Sequence, residues 1–109
     1  MSNTNITVVH GVLVEDDVQF TLVELCRVCD ADAEQVIALV DEGVLTPSGA
    51  AAHEWRFGGT TLQRARAALR LTRDLDLNAA GTALVLDLLD QIEALRAQLR
   101  HLGGDSRTG

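Results

Sequence analysis

At 109 residues, 47% of them hydrophobic and 3% aromatic, the chain has room for one domain with an aliphatic core and no second one. No apolar run approaches the ~20 residues that cross a bilayer, and two cysteines cannot make a disulfide scaffold. The net charge of −7 is unevenly spread: residues 1–54 hold ten acids and one base, Arg27, whereas residues 55–109 hold six acids and eight arginines.

Polyanions are bound by Lys and Arg that displace counterions, so the first half is unsuited to nucleic acid by itself. It would instead attract a basic surface and speed encounter with it. Met1-Ser2-Asn3-Thr4-Asn5 lacks the basic start and apolar stretch of a signal peptide, so the expected address is cytoplasmic.

Residues 1–19 read as an N-terminal arm or as one or two short strands. Ile6-Thr7-Val8-Val9 and Val12-Leu13-Val14 are β-prone, and Glu15-Asp16-Asp17 is the turn-like joint. At Thr21 the pattern turns helical. Thr21 is a good N-cap, and Glu24 stands three residues on, the capping-box spacing. Leu22, Leu25, Cys26 and Cys29 then share a helix face.

Asp30-Ala31-Asp32 breaks that helix, and Asp32 caps a second one with Gln35 in the box position. The second helix sends Val36, Ile37, Leu39 and Val40 inward and Glu34, Asp41 and Glu42 outward, and Gly43 ends it as a left-handed terminator. Two short helices with a tight acidic turn make a helix-turn-helix candidate.

Val44-Leu45-Thr46-Pro47 and Trp55-Arg56-Phe57 read as the two strands of a small β wing, with Ser48 to Ala52 as the loop. Thr60 or Thr61 caps a third helix that runs to about Leu75, with Leu62, Ala65, Ala68 or Leu69, and Thr72 inward. Asn78 caps a last helix from about Ala79 to Leu102, whose 24 residues would reach ~36 Å. Residues 103–109 are expected to form a disordered tail.

On the last helix Val85, Leu88, Ile92, Leu95, Leu99 and Leu102 are spaced 3, 4, 3, 4 and 3, a heptad seam. Such a seam buries itself against another helix. Residues 79–102 are therefore read as a dimerisation helix with Val85, Leu88, Ile92, Leu95 and Leu99 at the interface, and the chain as a homodimer. Packing on the third helix within one chain is the alternative.

Catalytic and metal constellations are thin. Cys26-Arg27-Val28-Cys29 is a C-x-x-C, but Cys26 is already in the second turn, where no helix N-terminus lowers its pKa. A structural zinc site needs four ligands, and His10, His53 and His101 are scattered. Core packing, with Cys26 inside and Cys29 at the edge, is the expected role. Asp16-Asp17 and Asp41-Glu42 are neighbouring acids on a loop and a helix end, without the cleft that separates the pKa values of an acid/base pair. No phosphate loop, nucleophile elbow or zinc-protease motif occurs. No enzymatic activity, cofactor, metal or small-molecule substrate is expected.

The helix-turn-helix poses a choice. A DNA reader sends its second helix into the major groove with Arg, Lys, Asn or Gln. Here that helix, Asp32 to Glu42, offers Asp32, Glu34, Gln35, Asp41 and Glu42 and no base at all. Arg56, Arg64, Arg66, Arg70 and Arg73 could touch phosphates only beside an acidic face. The architecture suggests DNA and the electrostatics oppose it, so no direct nucleic-acid contact is expected.

These residues resemble the chaperone-modulator family CbpM, small MerR-like partners of the DnaJ-type co-chaperone CbpA. The likeness lies in Phe20-Thr21-Leu22-Val23-Glu24-Leu25-Cys26, in Glu34 through Gly43-Val44-Leu45-Thr46-Pro47, and in Trp55-Arg56-Phe57. It continues through Arg64-Ala65 to Leu71 and Leu75-Asp76-Leu77-Asn78-Ala79-Ala80-Gly81 to the leucine-rich helix ending at Leu99. The resemblance implies a mainly α fold: a MerR-like winged helix-turn-helix over residues 20–78, with a small β wing and a long C-terminal helix.

It also implies binding to the J-domain of CbpA, with loss of the co-chaperone and DNA-binding activities of that partner. A J-domain presents a basic helix face, so Glu24, Asp32, Glu34, Asp41 and Glu42 are the expected charge partners. Trp55 and Phe57 either anchor that interface or pin the wing to the core. The alternative function is that of a MerR-type DNA-binding transcriptional regulator.

Overall fold

A computed structural model describes residues 18–103, together with the backbone of Ile6–Val9 and Val12–Glu15. The order of elements is β1 (Ile6–Val9), β2 (Val12–Glu15), α1 (Leu22–Cys29), α2 (Ala33–Asp41), a 3₁₀ turn (Ala52–Glu54), α3 (Gly59–Leu75) and α4 (Ala79–Gly103). Of the tail expected over 103–109, Gly103 instead belongs to α4, and residues 104–109, with His10, lie outside the described residues.

β1 and β2 pair antiparallel, with Val9 opposite Val12 and Ile6 opposite Glu15. The two short strands of the sequence reading are thus present as a pair, and the turn expected at Glu15-Asp16-Asp17 falls on residues 16 and 17, outside the described residues. β1 runs beside α3.

Local chemistry sets the helix boundaries. The Thr21 hydroxyl accepts from the Glu24 N–H at 3.1 Å, and Glu24 Oε1 accepts from the Thr21 N–H at 2.8 Å, the full capping box. Asp30 ends α1 in the left-handed conformation at φ 54°, a region that Asp tolerates better than most residues. The Ala31 N–H then returns to the Cys26 carbonyl at 2.9 Å. At the start of α2, Gln35 Oε1 accepts from the Asp32 N–H at 2.9 Å. At its end Gly43 takes φ 78°, its N–H donating to the Val40 carbonyl and that of Val44 to Leu39. That is the Schellman arrangement, which a glycine makes without strain.

α3 begins at Gly59, with Gly58 as its cap, and not at a threonine cap. The Gly58 carbonyl accepts the Leu62 N–H at 3.0 Å, so the helix is under way before Thr60. Asn78 does cap α4, its Oδ1 accepting the Gly81 N–H at 2.7 Å.

Leu25, Cys29, Val36, Leu39, Val44, Leu45, Phe57, Leu62, Ala65, Ala68, Leu69 and Leu86 form one buried cluster. It is built from the facing sides of all four helices and the segment after α2. Of the expected inward residues of α3, Leu62, Ala65, Ala68 and Leu69 are in it, while Thr72 is half-buried beside it. Thr82 is the one buried polar residue among those described, and its hydroxyl meets that of Thr72 at 2.9 Å, which satisfies both.

The expected β wing is not formed as a hairpin among the described residues. Val44 and Leu45 are both buried, and their N–H groups point back to the Leu39 carbonyl, so neither serves a ladder. Phe57 pairs with Phe20, through two backbone bonds of 2.8 Å, and not with Thr46. One bridge remains, Ser48 with Arg56. Inside it Gly49 sits at φ 107°, where a Cβ would come within 2.5 Å of the Glu54 carbonyl oxygen. The loop is thus a tight knot closed by glycine and a 3₁₀ turn. Phe57 is wholly buried and Trp55 meets it edge-on at 6.0 Å, packed against the core.

Candidate protein-interaction surface

α2 supplies the charged face. Its inward positions, Val36 and Leu39, fix its rotation on the core, which leaves Glu34, Asp41 and the capping Glu42 exposed. Asp32, at the N-cap, is exposed as well. No base occurs between Asp32 and Glu42, so nothing along this helix neutralises the four acids. Glu24 is different. It is exposed on α1, but one of its carboxylate oxygens is held by the Thr21 N–H, so its first job is to start α1.

The bases of the second half are less available than their number suggests. Arg64 Nε donates to the Val44 carbonyl at 2.9 Å, and its Nη2 lies 3.3 Å from Asp90 Oδ2. Arg66 donates to the Val28 carbonyl at 3.0 Å, and Arg56 to the Trp55 carbonyl at 2.8 Å. Each holds a turn or joins two elements. Sequence reasoning left these arginines as side chains that could touch phosphates only beside an acidic face. The carbonyls they reach are 20 and 38 residues away for Arg64 and Arg66, a distance over which no local pattern reports.

The thiols are inverted relative to the sequence reading. Cys29 is the core residue and Cys26 is half-buried. The reason is rotational: Leu25 and Cys29, four apart, define the buried stripe of α1, and Cys26 lies to one side. Burial pushes both thiols above their ordinary value of 9.0. The charge of Asp32 adds to this at Cys26, while Arg66 partly opposes it at Cys29. Raised thiols are poor nucleophiles and poor metal ligands. Among the described residues no group of three or more His, Cys, Asp or Glu could hold a metal.

α4 is divided in two. Thr82 and Leu86 are buried and Ala79 and Ala83 pack on the core. From Asp87 to Leu102 every residue is exposed. Val85, first in the seam, is partly covered by the body, whereas Leu88, Ile92, Leu95 and Leu99 are 45–68% exposed. Among the described residues nothing covers the seam from Leu88 onward, and α4 packs on the body only as far as Leu86. The bare stretch from Asp87 to Gly103 spans ~25 Å at the rise of an α-helix. No described helix is long and apolar enough to cross a membrane.

Helix-turn-helix, buried second helix stripe and long trailing helix together define the MerR class, and the MerR HTH family regulatory protein model matches residues 20–103. Relatives named chaperone modulatory protein CbpM are similar over most of the chain. That of Coxiella burnetii (strain Dugway 5J108-111) is 34% identical over 95 residues, 87% of this chain and 90% of the relative. Those of Pseudomonas putida (strain W619) and Pseudomonas entomophila (strain L48) are 36% and 35% identical over 81 residues, 74% of this chain and 80% of each relative. The chain belongs to the chaperone modulatory protein CbpM family, on a MerR-type helix-turn-helix scaffold.

Proposed function

We propose that this protein is a non-enzymatic, cytoplasmic modulator that binds the J-domain of a CbpA-type co-chaperone and inhibits its co-chaperone and DNA-binding activities. The observation that carries this reading is α2: four exposed acids, Asp32, Glu34, Asp41 and Glu42, with no base among them, where a DNA reader of this architecture needs positive charge. Family membership adds the partner class, through relatives whose name is that of a chaperone modulator. Glu24 extends the acid face only so far as its free carboxylate oxygen allows.

Residues 20–78 then do the binding and residues 79–102 join two copies. Val85, Leu88, Ile92, Leu95 and Leu99 are the dimer contact. The charges support one orientation. Asp87, Asp90 and Glu93 precede Arg96 and Arg100 along α4, so antiparallel helices set acid opposite base, and parallel ones set like opposite like.

The test is association kinetics with an isolated J-domain. Exposed charges act mainly on encounter, so Asp41→Lys with Glu42→Lys should slow association on the order of tenfold at low salt, and less at high salt. An unchanged rate removes α2 from the interface. Retardation of duplex DNA by the purified chain, weakening steeply with salt, would favour the transcriptional regulator instead.

A further inference from the structure

Between α2 and the turn from α3 to α4 lies a half-open cleft of about 140 Å³. Its floor is the core itself, where Leu39 and Leu69 are 2% and 4% exposed. Ala38 on α2 and Leu77 in the turn make its walls. The oxygens that line it are already engaged. Gln35 Oε1 is held by the Asp32 N–H, Asn78 Oδ1 by the Gly81 N–H, and the Thr72 hydroxyl by Thr82. The remaining lining, Ala38, Leu39, Leu69, Leu77 and Ala79, is apolar, which suits an apolar group better than a polar one. Apolar cavities of ~150 Å³ hold a single benzene-sized group.

The charge along the positions flanking the opening is predominantly negative. Ala38 stands midway along α2, with Glu34 one turn before it and Asp41 and Glu42 one turn after, all exposed. Asp76, also exposed, ends α3 immediately before Leu77. Arg73 beside Thr72 is the one base along these flanking positions.

We propose that this cleft is an anchor pocket: it takes one Leu- or Phe-sized side chain projected from a positively charged helix of the protein partner. The assignment rests on the J-domain reading above and adds to it a division of labour. The acids govern encounter and its salt dependence. The pocket governs residence, because a buried apolar anchor acts on dissociation and is insensitive to salt.

Ala38→Leu fills the cleft from its own wall with a residue that favours helix as well as most. Ala94→Leu, on the bare part of α4 away from the seam, is the control for added apolar bulk. The full-length chain and both variants are titrated with an isolated CbpA-type J-domain at low and high salt. Ala38→Leu is expected to weaken binding tenfold or more through faster dissociation at both salts, as loss of one buried anchor would. Ala94→Leu should match the unaltered chain. In the unaltered protein, the methyl resonances of Ala38, Leu69 and Leu77 should shift when the J-domain is added, a readout independent of how the variant folds. If the unaltered chain binds no J-domain, the functional reading falls and the pocket assignment with it. If it binds, and Ala38→Leu binds equally while those methyls stay unmoved, the pocket is overturned and the acid face stands.

Discussion

Leucine has two opposite fates in this molecule. In the packed body Leu25, Leu39, Leu45 and Leu62 are 0–2% exposed, whereas on the outer half of α4 Leu88, Leu95, Leu99 and Leu102 are 47–75% exposed. The side chains are chemically identical. The inward leucines of the body belong to one buried cluster to which all four helices contribute. The α4 leucines continue a regular seam beyond the point where the body ends. An apolar stripe of that length left to water marks an interface. Composition counts both groups alike, and only position relative to the core separates them.

The sharpest way to break this contrast is to make the same truncation in both places. Leu39→Ala should destabilise the body by ~2–5 kcal/mol, the usual cost of a buried leucine with its cavity. In a chain of this size that lowers the melting temperature by on the order of 10 °C or more. Leu95→Ala should leave the unfolding of the body within ~0.5 kcal/mol of the original, as exposed substitutions do. It should instead shift the sedimentation profile toward monomer. A comparable loss of thermal stability at low protein concentration for Leu95→Ala would mean that the outer half of α4 is covered within the chain.

What could be read in advance was what neighbouring residues decide. Thr21 with Glu24, Asp32 with Gln35, Gly43 and Asn78 mark helix ends through contacts of three or four residues, and the structure repeats each of them. The 3–4 spacing of Leu62, Ala65 and Leu69 likewise gave the inner side of α3. The wing failed because alternation over three residues at Trp55-Arg56-Phe57 says only that a segment is extended. It does not say which segment it meets, and Phe57 meets Phe20. The order of Cys26 and Cys29 failed because both lie within one face of a short helix, where one step of rotation decides which is covered. The cleft beside Ala38 is a product of three elements and has no linear signature at all.

Arg64 tests the joint between the two regions, and a smaller effect is expected there. Its guanidinium spans the end of α2, at the Val44 carbonyl, and the first bare turns of α4, at Asp90. Arg64→Ala leaves a carbonyl without its donor and should cost ~1–3 kcal/mol. Asp90→Asn removes only the ion pair, which is open to solvent on both sides, and should cost less than ~1 kcal/mol. Chemical denaturation of the two variants measures the difference. Equal losses would place the weight on the ion pair and not on the backbone contact.

The smallest effect expected concerns the thiols, and its sign follows from burial. Folding holds Cys26 and Cys29 in the neutral form by raising their pKa values. Below the ordinary thiol value of 9.0 both states keep their protons, and whatever this burial contributes is fully present. As pH rises past that value the unfolded chain loses protons that the folded chain retains, so stability declines with pH through the alkaline range. Burial is the main cause at both thiols, joined by Asp32 at Cys26 and moderated by Arg66 at Cys29. Replacing either by Ala should therefore flatten the alkaline limb of the stability profile. In the unaltered chain at pH 8, alkylation of Cys29 should be slower than that of Cys26, and both should reach the rate of a free thiol on unfolding. Fast modification of Cys29 in the folded chain would show that α1 opens readily, and would move the boundary of the stable body inward from Leu22.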